Sequence, residues 1–244
     1  NNIEKKYPNI EIEKLAKNSV LMPGLINSHI HLEFSGNTTT LKYGNFYSWL
    51  NSVIKHREDL ISKANTKLIL SKLSKMKGTG TTTIGAISSY SFDLDACVKS
   101  PLNKVFFCEV IGTKGDMIDT LFADFKDRLN IAKKYKSANF IPAIAIHSPY
   151  SVHPFLVRET LKLAREENLP VTSHFLESRE EFEWLHKDEG AFVEFFKNFL
   201  GQEQSVTKPM EFLNLFSNIK NLSFTHCVEA SSADFDKIKL LGAS

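Results

Sequence analysis

The chain reads as an α/β protein, a (β/α)₈-type barrel with only about six βα units present. Three observations carry that reading. Short β-branched or apolar runs alternate with longer amphipathic ones, the pattern of parallel βα units. The length, 244 residues, is close to the ~250 of one such barrel. Histidines stand at the ends of the presumptive strands, where a parallel barrel gathers its active site.

The first strand signal is Val20-Leu21-Met22, continuing through Pro23 to Asn27 and ending in His29 and His31. Helical spacing follows over Tyr43 to Arg57 and again over Leu60 to Lys77. The Gly78/Gly80 turn introduces a second strand, Thr81 to Ile87, and a third runs from Lys104 to Ile111. After a helix from Asp116 to Tyr135 comes the fourth strand, Phe140 to Ile146, closing on His147. Its helix spans Pro154 to Glu167, and the fifth strand, Leu169 to Phe175, carries His174. Ser178 and Glu181 stand at capping-box spacing and start the next helical region. Phe192, Phe195, Phe196 and Phe199 recur there at helical spacing, which reads as core contact. The sixth strand, Leu222 to Thr225, ends at His226 and precedes a helix from Ser231 to Leu241. Residues 1–19 read as the remnant of a flanking β-rich domain, with Ile10, Ile12 and Leu15 alternating weakly as an edge strand does; residues 20–244 form the partial barrel.

Composition excludes several classes. With 42% hydrophobic residues, 11 Gly and 8 Pro, the chain is neither collagen-like nor largely disordered. No apolar run approaches the ~18 residues of a membrane span, and no signal-peptide pattern opens the chain. A net charge of +2 gives no reason to expect a nucleic-acid partner, and the lysines between Lys63 and Lys77 read as a solvated helix face. Cys97, Cys108 and Cys227 fit neither a disulfide framework nor a thiolate zinc site, which points to a reducing cytoplasm.

His29-Ile30-His31 is the strongest local signal for chemistry. Residues i and i+2 of a strand point to the same side, so both imidazoles can reach one ion. His174, at another strand end, supplies a third. Three imidazoles leave a coordination position for water, whose pKa on a bound metal falls toward ~7. Zinc suits such a site best, ahead of iron or manganese. Glu177 follows His174 by three residues, placing a carboxylate where it can move protons.

Together these residues carry a resemblance. The run Val20-Leu21-Met22-Pro23-Gly24-Leu25-Ile26-Asn27-Ser28-His29-Ile30-His31, then His147-Ser148-Pro149-Tyr150, His174-x-x-Glu177 and Thr225-His226-Cys227, resembles the amidohydrolase superfamily. Within it, they resemble the branch of adenosine and S-adenosylhomocysteine deaminases, cytosine and guanine deaminases, and triazine chlorohydrolases. The resemblance implies a TIM-type barrel of the metal-dependent hydrolase kind. It implies His29, His31 and His174 as metal ligands, Glu177 as proton carrier and His226 as a contact to the hydrolytic water or product oxygen. It also implies that Trp49, Glu58 and His147 contact the sugar of a nucleoside-like substrate. His31-Leu32-Glu33-Phe34-Ser35 with Tyr43 to Leu50 is similar to the aminodeoxyfutalosine deaminases of menaquinone biosynthesis. The expected reaction is hydrolytic deamination of an adenine ring; the same site with another leaving group would make a chlorohydrolase or amidohydrolase.

One element of the family pattern has no counterpart. The family places an Asp at the end of an eighth strand, and the sequence stops at Ser244, after the sixth unit; Asp234 and Asp236 belong to the last helix. The chain, which begins with Asn1, is therefore expected to be part of a longer enzyme and by itself to bind metal weakly, turn over negligibly and serve at most in assembly. An open parallel edge also invites association with a second copy.

Overall fold

Six runs rich in β-branched and apolar residues form the strands of a single parallel sheet in the computed structural model, which describes residues 2–244. They are β1 (Leu25–Ile30), β2 (Thr81–Ser88), β3 (Asn103–Val110), β4 (Phe140–Ile146), β5 (Val171–Phe175) and β6 (Leu222–His226), paired in sequence order. Ten α-helices occur among the described residues: α1 (Asn2–Lys6), α2 (Phe46–Lys63), α3 (Thr66–Gly78), α4 (Leu94–Lys99), α5 (Ile118–Lys133), α6 (Pro154–Glu167), α7 (Arg179–Lys187), α8 (Ala191–Leu200), α9 (Pro209–Asn214) and α10 (Ser232–Leu240). Each strand is linked to the next through at least one helix, so the sheet curls into about three-quarters of a (β/α)₈ barrel. No helix among the described residues is long and apolar enough to cross a membrane.

Alternation along the strands sorts side chains into two layers. Phe106, Cys108 and Val110 of β3, with Ile144 and Ile146 of β4, point outward into the main core beneath the helices. Val105 and Phe107, with Ile87, Ala143 and Ala145, fill the barrel interior. The next inward positions, Glu109 and His147, therefore face the space above that plug. Gly85 sits where β1 and β2 approach most closely: a Cβ there would lie 2.1 Å from the Ser28 carbonyl oxygen.

Three sequence expectations shift. The first strand starts at Leu25, because its partner β2 starts at Thr81, and it runs on to include His29. Val20 and Leu21 are each 85% exposed outside it. Residues 7–24 form neither helix nor strand, so the alternation at Ile10, Ile12 and Leu15 produces no edge strand. The long helical stretch breaks at Ala64 and Asn65 instead of near Arg57, because the Asn65 side chain accepts from the Leu68 N–H and caps α3.

Candidate metal centre and active-site cavity

The strand ends bring three imidazoles to one point. His29 and His31 lie two residues apart at the end of β1, and their Nε2 atoms are 3.1 Å apart. His174, on β5, places its Nε2 3.1 Å from that of His29 and 3.4 Å from that of His31. A tetrahedral ion held at 2.0–2.1 Å requires nitrogen–nitrogen edges of about 3.3–3.4 Å, so this triangle fits a divalent metal. Burial and the neighbouring imidazoles push His29 to about 4 and His31 to about 3. His174 is held well below its usual value for the same reasons. All three are neutral at pH 7 and offer lone pairs. His174 Nδ1 donates to the His147 carbonyl at 2.5 Å, which leaves its Nε2 free as a ligand.

Beside the triangle stand Glu177 and His226, with Oε1 and Nε2 3.4 Å apart. Burial pushes Glu177 up to about 7. His226 is turned toward the site by a left-handed backbone, φ +76°, at the end of β6. Its ring centroid is 5.5 Å from that of His29, so the ends of β1 and β6 meet across the centre. His147 lies 5.0 Å from His174, ring to ring, and its Nδ1 is engaged by Ser151 Oγ at 2.6 Å.

These groups floor a cavity of about 580 Å³, a volume suited to a small organic ligand. Its wall comes largely from α2, where Phe46, Trp49, Leu50, Val53, Ile54 and Arg57 recur at helical spacing. Trp49 and His147, the sugar contacts that the resemblance implies, are placed in the cavity lining. Glu58 does not. One residue past Arg57 it is turned about 100° away, and it is exposed in an adjoining pocket that shares Arg57 and Tyr90 with the cavity. The phenylalanine expectation holds for Phe192 and Phe196, both core residues, with Phe195 packed against them; Phe195, Phe196 and Phe199 also border the cavity, and Phe199 is 59% exposed.

Three buried carboxylates were not singled out for the site by sequence. Glu109, 1% exposed at the end of β3, accepts from Ser89 Oγ at 2.5 Å and has Oε1 3.9 Å from His174 Nδ1. Burial pushes it up to about 8. The strand-end argument that selects His147 applies equally to Glu109. Glu33, just past His31, accepts from the N–H groups of Ser89, Tyr90 and Phe92 at 2.8, 3.0 and 3.0 Å. It fixes the loop after β2, and so Ser89, from below. Glu181 was visible only as a capping partner. Ser178 Oγ does accept from its N–H, but the Glu181 carboxylate turns back to Leu176 and Glu177 instead of to Ser178.

A model of the amidohydrolase family matches residues 20–242. An aminodeoxyfutalosine deaminase of Nitratiruptor sp. is 46% identical over 237 residues, covering 97% of this chain and 58% of that protein. An adenosine deaminase of Helicobacter pylori is 32% identical over 239 residues, covering 96% and 57%. The crystal structure of Helicobacter pylori aminofutalosine deaminase in complex with methylthio-coformycin superposes with a TM-score of 0.89 at 29% identity, covering 98% of this chain and 58% of that one. The chain thus spans a little over half the length of these relatives. Its parallel barrel, its histidine triangle and the match over nearly its whole length lead to one assignment: the chain belongs to the amidohydrolase family.

Proposed function

We propose that the whole protein is a metal-dependent aminohydrolase acting on the adenine ring of a nucleoside-like substrate, with 6-amino-6-deoxyfutalosine of menaquinone biosynthesis as the specific substrate. The observation that carries this reading is the Nε2 triangle of His29, His31 and His174 with Glu177 and His226 beside it, under an aromatic-walled cavity. The relatives named as aminodeoxyfutalosine and adenosine deaminases supply the substrate class.

His29, His31 and His174 would hold the ion, zinc by the all-imidazole donor set. When bound, it supplies a water that ionises near neutral pH. The remaining steps belong to the chain. Glu177, titrating near 7, gives a proton to ring N1 as oxygen adds to C6. It then takes a proton from the added C6 hydroxyl and passes it to the departing amine; the C–N bond breaks, and ammonia leaves a hypoxanthine-type base with a carbonyl at C6. His226, 3.4 Å from Glu177, orients the attacking oxygen. Trp49 and His147 hold the sugar side, and the apolar α2 wall excludes water. The cysteines form no disulfide among the described residues, consistent with a cytoplasmic enzyme.

Ammonia release from 6-amino-6-deoxyfutalosine, adenosine and S-adenosylhomocysteine tests the reading. The highest kcat/KM is expected for the first. Release from none of the three by the metal-loaded whole protein contradicts the assignment.

A further inference from the structure

We infer that Glu181 is the positioning residue that aims Glu177 into the site, an inference that rests on the deaminase reading for its catalytic consequence. Glu177 follows Leu176, whose backbone is left-handed at φ +46° although it carries a branched side chain. Such a conformation persists only where its surroundings enforce it. The enforcement is visible. Glu181 Oε1 accepts from the Leu176 N–H at 3.1 Å, and its Oε2 accepts from the Glu177 N–H at 2.8 Å. Glu181 is fully buried, and its own N–H is capped by Ser178 Oγ at 3.2 Å. One rigid turn of α7 thus grips two consecutive amides of the catalytic loop.

The grip extends to the opposite wall. The Leu176 carbonyl accepts from Glu229 N–H at 3.0 Å, and the Phe175 carbonyl accepts from Cys227 N–H at 2.9 Å. These bonds come from the residues just after His226, itself left-handed at φ +76°. The peptide planes that carry Glu177 and His226 are therefore tied together, with the Glu181 side chain holding the two amides at the Glu177 end. A buried carboxylate is costly to keep, and a serine cap alone would start α7 without it. Its retention is explained by the two amides it orders.

The charge-neutral, nearly isosteric E181Q tests this. Its amide oxygen can accept from one N–H, but its NH₂ group then confronts the other. In the metal-loaded whole protein, kcat on the best nucleoside falls about tenfold or more in E181Q and about 100-fold in E181A, the scale of a misplaced reacting group. KM stays within about threefold, because Glu181 is not itself among the residues that line the cavity, and the pH limb set by Glu177 moves. Hydrogen exchange supplies a readout independent of activity: the Leu176 and Glu177 amides are protected in the parent and released in E181Q. Unchanged kcat in a folded E181Q, equal loss in kcat/KM through KM alone, or unprotected amides in the parent would each overturn the inference. So would general unfolding of E181Q, which would make Glu181 a residue of global stability only. An inactive parent with protected amides that E181Q releases would sink the deaminase reading and leave the clamp standing.

Discussion

Replacing Gly85 by Ala puts the link between barrel geometry and metal binding under direct strain. The added methyl would lie 2.1 Å from the Ser28 carbonyl oxygen and 2.8 Å from its carbon, both backbone atoms that no rotamer change can move. Ordinary carbon–oxygen contact needs roughly 3.2 Å or more, so β1 must retreat from β2 by about 1 Å. β1 carries His29 next to Ser28, and His31 two residues beyond. A shift of that size exceeds the roughly 0.2 Å tolerance of metal–ligand distances, and would open nitrogen–nitrogen edges that now measure 3.1–3.4 Å. Overpacking of this kind costs about 1–3 kcal/mol, or roughly 2–12 °C in melting temperature for a chain of this size. Calorimetric titration of the folded G85A with zinc should show affinity reduced by about 10–100-fold, the scale seen when ligand orientation is lost. A G85A protein that melts with the parent and binds zinc equally well would refute the coupling between the β1–β2 approach and the ligand triangle.

Other consequences follow from the buried carboxylates. E33A frees three loop N–H groups, worth together about 2–4 kcal/mol once partial solvent access is allowed; differential scanning calorimetry should show a fall of about 5–15 °C. Burial pushes Asp93 up to about 8 from an ordinary 3.8, so the folded chain keeps a proton that the unfolded chain releases. Its contribution to stability is thus greatest below about pH 4 and declines as pH rises toward 8. Urea unfolding at pH 5 and pH 8 should show a smaller pH-dependent loss in D93N than in the parent. In the proposed mechanism Glu177, pushed up to about 7, acts in its protonated form. The kcat/KM profile should therefore descend above about pH 7, and a profile flat to pH 9 would remove Glu177 from that role.

Much of this site was legible in the residue order because strand periodicity is strict. His29 and His31 at i and i+2, and His174 and His226 at later strand ends, could converge only on the C-terminal face of a parallel barrel. Glu58 came from the family resemblance alone, with the predicted helix ending at Arg57. In the structure α2 runs through both residues, and nine residues make two and a half turns, which place Trp49 and Glu58 on opposite faces. Arg57, not Glu58, shares the cavity face. The division of the phenylalanines on α8 was hidden for a related reason. A stripe at helical spacing marks a buried face without saying whether protein or ligand will cover it. Glu33 and Glu181 were hidden because their partners are backbone amides, and an amide leaves no mark in sequence. Val20 to Met22 read as strand from composition alone, whereas pairing with Thr81 decides where β1 begins.

The central claim is that His29, His31 and His174 together hold the metal on which the chemistry depends. Elemental analysis of the purified whole protein, compared with a folded H174A variant, tests it most directly. About one divalent ion per chain is expected in the parent, with zinc foremost, and almost none in H174A. Full metal content in H174A, or a parent that takes up no divalent ion at pH 7, would contradict it.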